Sequence, residues 1–272
     1  MLNVFAWQEV FVLASNDNLL KVYFLDVGQG DSAFIETSQF HQILIDGGPD
    51  SIVLEKLQNL MPFFDRTIDF VILTHPEKDH MQGLIEVLQR YKVKDILWTG
   101  VVRQTPEYQK WIDILEIKKK QGTKITTAKL GQTIKAGKIL IKILNPLEDS
   151  SKKELKDSND SSVVSRLIFD KNSFLFTGDI SNKAEKDIIC KNDNLQADVL
   201  KISHHGSKYS SSLSFLENVK PKIAVISVGK NSYGHPTPET LQKLENFGID
   251  ILRTDTDGDI EIVSDGNNIY IK

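Results

Sequence analysis

Between residues 71 and 83 the chain reads VILTHPEKDHMQG, which packs His75, Glu77, Asp79 and His80 into six residues. Imidazoles and carboxylates are the side chains that hold divalent cations, and an ion held this way acidifies water for hydrolysis. An apolar run ends at Leu73 and a helical pattern starts near Met81, so the four side chains fall on the connection between a strand and a helix. Farther along stand the tandem pair His204 and His205, in SHHGS, and Asp179, in GDIS, each just past an apolar run. Asp179 has two carboxylate oxygens and can bridge two ions. The set therefore outlines a hydrolytic centre holding one or two divalent ions.

The elements that must position these residues follow from the hydrophobic pattern. Strand patterns cover 20–25, 32–37 and 42–45 as a meander, with the Gly-rich turn DVGQGDS after the first. The third closes on Asp46, Gly47 and Gly48, and Pro49 and Asp50 open a helix to about residue 60. A strand over 68–73, a helix over 82–90, a short strand over 96–98 and a helix from Thr105 to about Lys120 continue in α/β alternation. Lys118, Lys119 and Lys120 read as a solvated last turn that complements the helix dipole.

Patterns at 125–128, 133–134 and 139–144 read as further antiparallel strands, and a polar loop over 146–162 follows that is long enough to be functional. Strands at 163–169, 174–177, 198–202 and 223–227, and helices at 182–190, 211–218 and 238–247, make up most of the second half. Strands near Ile251, Ile260 and Ile269 complete it. TDTDGD at 254–259 lacks the Glu of a calcium loop and reads as a turn. The order predicts two sheets face to face with helices outside, in one domain over 21–272, after an N-terminal tail or anchor remnant over 1–20.

A chain of 272 residues with 40% hydrophobic and 26% charged residues buries a sizeable core and is not disordered. A net charge of −4 argues against wrapping nucleic acid on a uniformly basic surface and leaves room for a local basic groove. The single Cys190 excludes an internal disulfide framework and a Cys-based zinc cage, so any metal is held by His and carboxylates, and no disulfide-linked partner is expected. The apolar stretch 4–14 contains Gln8 and Glu9 and lacks a basic n-region. It is also shorter than the roughly 20 residues of a membrane span.

The motifs resemble the metallo-β-lactamase superfamily, whose marker is His-x-His-x-Asp-His after a strand. Within it they look most like the soluble domain of ComEC-type DNA-internalisation proteins of bacterial competence. The resemblance runs from about residue 21 to 272. It rests on FLDVGQGDS at 24–32, LIDGG at 44–48, LTHPEKDHMQG at 73–83, FLFTGDIS at 174–181, DVLKISHHGSKYSS at 198–211 and SVGKNSYGHPTPETL at 227–241. It implies an α+β, four-layer αββα sandwich.

It also implies that His75 and Glu77 hold one ion, that Asp79 and His80 hold the other, and that Asp179 bridges. His204 takes the last ligand position, with His205 its competitor. This chain departs from the pattern in two places: Glu77 replaces the usual Asp of the subgroup, and no His lies between His80 and His204. Asn159 or Asp160 stands where the subgroup has an Asn oxygen donor. Oxygen donors in place of imidazoles shift the preference from Zn²⁺ towards Mn²⁺ or Mg²⁺.

The implied reaction is hydrolysis of a phosphodiester or another ester by hydroxide that the ion generates. Asp79 or Asp46 would orient the water, and Ser207, Lys208 and His235 would hold a phosphate oxygen or protonate the leaving group. Gln29 and Asp31 would flank the pocket on the substrate side. The leading expectation is a nuclease acting on single-stranded DNA in a DNA-uptake system, with a membrane channel subunit as partner. A hydrolase of small esters, lactones or β-lactams, and a non-catalytic binding module with a degenerate metal site, are the alternatives. Compartment and oligomeric state are left open.

Overall fold

The computed structural model describes residues 18–155 and 157–272, so the expected tail lies, up to residue 17, outside the described residues. Short apolar runs separated by turn residues make β1 (Leu20–Phe24), β2 (Ala33–Glu36) and β3 (Gln42–Ile45), which pair antiparallel in sequence order as the meander pattern predicts. After β3 the chain adds strands in parallel: β4 (Thr67–Ile72), β5 (Lys92–Trp98) and β6 (Lys124–Thr127). Their crossovers are α1 (Ile52–Leu60), α2 (Lys78–Arg90) and α3 (Pro106–Lys120).

The second sheet begins antiparallel with β7 (Thr133–Ala136), β8 (Ile139–Asn145), β9 (Val164–Phe169) and β10 (Asn172–Phe176). It then turns parallel through β11 (Val199–Lys201), β12 (Ile223–Ile226) and β13 (Asp250–Arg253). The helices α4 (Asn182–Lys191), α5 (Leu213–Val219) and α6 (Pro238–Asn246) make those crossings. TDTDGD contains a single helical turn, α7 (Thr254–Asp257). β14 (Ile260–Ser264) and β15 (Ile269–Ile271) then return to the first sheet, where β14 pairs with β1.

The result is an eight-stranded sheet facing a seven-stranded one. Ile43, Ile72, Phe174 and Val225 belong to the apolar layer between them. Val53, Leu84 and Trp111 pack α1 to α3 onto the outside of the first sheet, and Ile188, Phe215 and Leu244 do the same for α4 to α6 on the second. Each such side chain contributes about 1.5–3 kcal/mol on burial, which pins the layers in register. The four layers are helix, sheet, sheet, helix, as the family resemblance implies. No helix among the described residues is long and apolar enough to cross a membrane.

Three local expectations are corrected. β6 joins the first sheet in parallel instead of forming an antiparallel set with β7 and β8, because the α3 crossover delivers it beside β5. Lys118 is buried, its ammonium donating to Tyr91 O at 3.0 Å, while Lys119 and Lys120 remain exposed. α2 starts at Lys78, with extended Glu77 as its N-cap, so Asp79 and His80 ride on a helical first turn and not on a loop. The positive end of the helix dipole favours a carboxylate there. Gly83 allows that turn to press onto the β3–α1 connection, since a Cβ would run into the carbonyl oxygens of Gly47 and Asp50.

Candidate metal centre

The candidate side chains gather where strands of both sheets end on one edge of the sandwich. Asp46 follows β3, His75 follows β4, Asp179 follows β10, and His204 and His205 follow β11. The tandem is resolved by its backbone. His204 and His205 both adopt left-handed dihedrals, with φ of 51° and 53°, a conformation that non-glycine residues adopt only under constraint. The two imidazoles therefore diverge. His205 is buried, and its Nδ1 donates to Ser227 O at 2.9 Å. His204 is half-buried and faces His235, ring centroids 5.6 Å apart.

All three buried imidazoles are held by Nδ1. His80 Nδ1 is 2.8 Å from Asp46 Oδ2, and His75 Nδ1 is 3.0 Å from Thr74 Oγ1, whose own proton goes to Asp46. In His80 and His205 the Nε2 atoms then turn towards Asp179, each 3.4 Å from its Oδ2, and His205 Nε2 lies 3.3 Å from Asp79 Oδ2. Partners behind a ligating imidazole fix its tautomer and raise its basicity.

Asp31, His80, Asp179 and His205 each offer a ligand atom within 4.8 Å of one another. Asp31 approaches the two histidines from their Nδ1 side, however, at 3.3 Å from His205 and 3.8 Å from His80. It also forms an ion pair with the buried ammonium of Lys201, which lies 3.7 Å from Asp179 Oδ1. On the Nε2 side Asp79 takes its place. Asp31 therefore does not face substrate, as the turn motif suggested, but backs the site from within.

The electrostatics match a cation site. Burial opposes ionisation of Asp179, yet the charges of His205 and His80 hold its carboxyl well below the usual range. Burial likewise opposes the charge on His205, and Asp179, Asp31 and Asp79 outweigh it, raising the imidazole to about 10. His75 is pushed down to about 3, by burial first and then by the charge of His80. His80 Nε2 and Asp179 Oδ1 are buried without a hydrogen-bond partner. Such groups cost about 1–3 kcal/mol each, a cost that a shared cation relieves. The residues present fit a divalent ion.

The site opens into a cavity of about 390 Å³, walled by His75, Asp79, Asn159 and Asp179. Gln29, His204, His205 and His235 continue the wall, together with Glu77, Arg103, Asp157 and Tyr233. Asn159 begins a 3₁₀ turn on this wall, whereas Asp160 is occupied outside it, accepting from Ser181 N at 2.8 Å. Glu77 does not reach towards His75 with free oxygens. Its carboxylate pairs with Arg103 at 2.9 Å and accepts from Ser158 Oγ at 2.6 Å, which ties the loop 146–162 to the start of α2.

Other expected site residues fall elsewhere. Asp46 is enclosed and does not line the cavity; its carboxylate accepts from Thr74 N and Thr74 Oγ1 and lies against His80 Nδ1, which places it behind the site and not at the water side. Ser207 is buried, its carbonyl accepting from Thr240 Oγ1 at 3.1 Å, and exposed Lys208 lies over the Tyr209 ring. The chain turns away from the cavity after His205, so neither Ser207 nor Lys208 contributes to the wall. Sequence reasoning missed Lys201, Arg103 and Tyr233. Lys201 carried one signal, a lone charge inside the apolar run DVLKIS; Arg103 had none.

A family model described as the metallo-beta-lactamase superfamily matches residues 25–230. ComE operon protein 3 of Bacillus subtilis is 32% identical over 260 residues, covering 89% of this chain and 32% of that protein. Competence protein ComA of Neisseria gonorrhoeae is 29% identical over 247 residues, covering 90% and 32%. The chain thus spans about a third of the length of these curated relatives. Among solved structures, Igni18, a metallo hydrolase from the archaeon Ignicoccus hospitalis, aligns with a TM-score of 0.58 at 18% identity, covering 89% of this chain and 98% of that one. YhfI from Bacillus subtilis aligns at 0.56 and 15%, covering 88% and 98%. At such identities the likeness speaks for the fold alone.

Proposed function

The chain belongs to the metallo-β-lactamase superfamily, and on that premise we propose that it is a metal-dependent phosphodiesterase that cuts single-stranded DNA within a DNA-uptake system. One observation carries the reading. His80 Nε2, His205 Nε2, Asp79 and Asp179 converge at an open cavity whose wall also holds Arg103, His204 and His235. Guanidinium and imidazole N–H groups are donors suited to phosphodiester oxygens. The competence relatives, matched along most of this chain, supply the DNA-uptake setting. That setting implies a membrane channel as neighbour or partner.

Bound among these groups, a divalent ion supplies Lewis acidity that lowers the pKa of water and draws charge from a phosphoryl oxygen. The chain's own residues do the rest. Asp79, kept ionised by His205 and His80 against the effect of burial, accepts a hydrogen bond from the water and orients it. Asp46 holds His80 in place, and Lys201 balances Asp31 and Asp179 from the inner side. Burial, and then the neighbouring His204 and His205, push the imidazole of His235 below its ordinary value. It offers a ring N–H to a phosphate oxygen. Carboxylates of Asp79 and Asp179 with the carboxamide of Asn159 make an oxygen-rich donor set for one or two ions, favouring Mn²⁺ or Mg²⁺ over Zn²⁺.

The test is incubation of purified protein with labelled single-stranded DNA and Mn²⁺, beside Asp79→Asn and His205→Ala. Metal-dependent cleavage that both substitutions abolish supports the reading, and inert DNA overturns it. Turnover of small esters or lactones with inert DNA identifies a different hydrolase. Absence of metal uptake identifies a binding module.

A further inference from the structure

The cavity wall carries an unbroken series of rings from solvent to the metal centre. Tyr233 lies 5.9 Å from His235 with their planes 31° apart, His235 meets His204 edge to face at 5.6 Å, and His204 meets His205 at 6.1 Å. Tyr233 is the outermost ring and is 73% exposed. A single exposed aromatic is ordinary on a protein surface; this one is held in position at the mouth of the cavity. Asn231 Oδ1 accepts from Tyr233 N at 3.0 Å and from His235 N at 3.1 Å. Its Nδ2 donates to Gly229 O and His235 O at 2.9 and 2.8 Å. Gly229 N in turn donates to Gln29 Oε1 on the connection between β1 and β2, which packs directly against Gly229. The ring is thus presented to solvent on a backbone whose ordering cost is already met in the free protein.

We propose that Tyr233 is the stacking platform for the unpaired nucleobase next to the scissile phosphate, and that it makes the enzyme selective for single strands. The inference rests on the phosphodiesterase reading and names the group it recognises beside the phosphate. Every base has a π-face, so a tyrosine platform accepts any sequence but requires a base free of its duplex partner. Charge supports the same side of the cavity. Asp157 on the cavity wall also lines a second groove of about 390 Å³, away from the Tyr233 loop, that carries Glu148, Asp160 and Asp187 against Lys183. A polyanion is repelled there, whereas the Tyr233 loop carries exposed Lys230.

Two single-stranded oligonucleotides with Mn²⁺ provide the test, one intact with 2-aminopurine and one with an abasic residue in its place. The wild type is expected to show a KM about ten-fold lower for the intact strand, a discrimination that Tyr233→Ala loses and Tyr233→Trp keeps. The change falls on KM and not on kcat. Quenching of 2-aminopurine fluorescence on mixing reports stacking without turnover, and it is lost in Tyr233→Ala alone. Equal KM values for intact and abasic strands, or unchanged quenching in Tyr233→Ala, overturn the platform. If neither strand is cut yet quenching depends on Tyr233, the phosphodiesterase reading falls and Tyr233 remains a base-stacking site without a scissile phosphate beside it; if neither is cut and nothing quenches, both fall.

Discussion

His80 Nδ1 is held by Asp46 Oδ2 at 2.8 Å, with both side chains fully enclosed, so the imidazole is fixed in the tautomer and orientation that turn Nε2 towards Asp179. A carboxylate behind a ligating histidine typically controls metal affinity by about 10–100-fold. Asp46→Asn is therefore expected to weaken Mn²⁺ binding by about that factor while leaving the cavity wall intact. Titration against a competing chelator measures it. Unchanged affinity would show that Asp46 has no part in positioning the ligand.

The divergence of the tandem histidines separates their roles. His205→Ala removes an Nε2 lying 3.3–3.4 Å from Asp79 and Asp179, and is expected to abolish stoichiometric metal uptake. His204→Ala is expected to retain it, since His204 faces His235 on the cavity wall. Metal content after desalting distinguishes them, and equal loss in both would refute the assignment.

Glu77 tests whether the second position of the marker is a ligand or a tether. Its contacts with Arg103 and Ser158 hold the loop 146–162 to α2. Glu77→Gln is expected to lower stability by about 1–2 kcal/mol through the lost charge-assisted contacts, with little change in tight metal binding. Thermal unfolding and a metal titration on the same variant give both answers. Loss of a bound ion with unchanged stability would make Glu77 a ligand after all.

The buried histidines give the metal-free protein a stability maximum. His205, raised from 6.5 to about 10, contributes stability that is complete below pH 6.5 and is lost as pH rises through about 10. His75, lowered from 6.5 to about 3, has the opposite sign: its contribution is present above pH 6.5 and lost as pH falls towards 3. Chelated protein is thus expected to show its highest Tm near pH 6.5. Saturating Mn²⁺ removes the alkaline decline, because the ion takes the place of the proton on His205. A Tm that stays flat from neutral to alkaline pH in chelator would contradict this.

Much of the architecture is legible in sequence order because it is local. Alternating apolar residues and Gly-rich turns mark β1 to β3, and Thr105 before Pro106 marks the start of α3, its hydroxyl accepting from Tyr108 N. Partner choice is not local. Nothing in the four residues of β6 records that a crossover helix sets them parallel to β5, nor in β14 that it closes the first sheet beside β1.

The site divides in the same way. Residue types at 75–80, Asp179 and the SHHGS tandem point to a metal-binding chemistry, since no other combination of side chains in the chain offers so many ligands just after strands. Only the tertiary structure decided which of them point inward. Two left-handed residues turn His205 in and His204 out, Arg103 engages Glu77, and Asp31 and Asp46 lie behind the histidines they support. Lys201, a strand residue with no motif of its own, becomes the charge that balances two buried carboxylates. Spacing along the chain specifies which ligands are available, whereas their direction depends on backbone dihedrals and on partners brought from distant strands, and those exist only once both sheets have closed on each other.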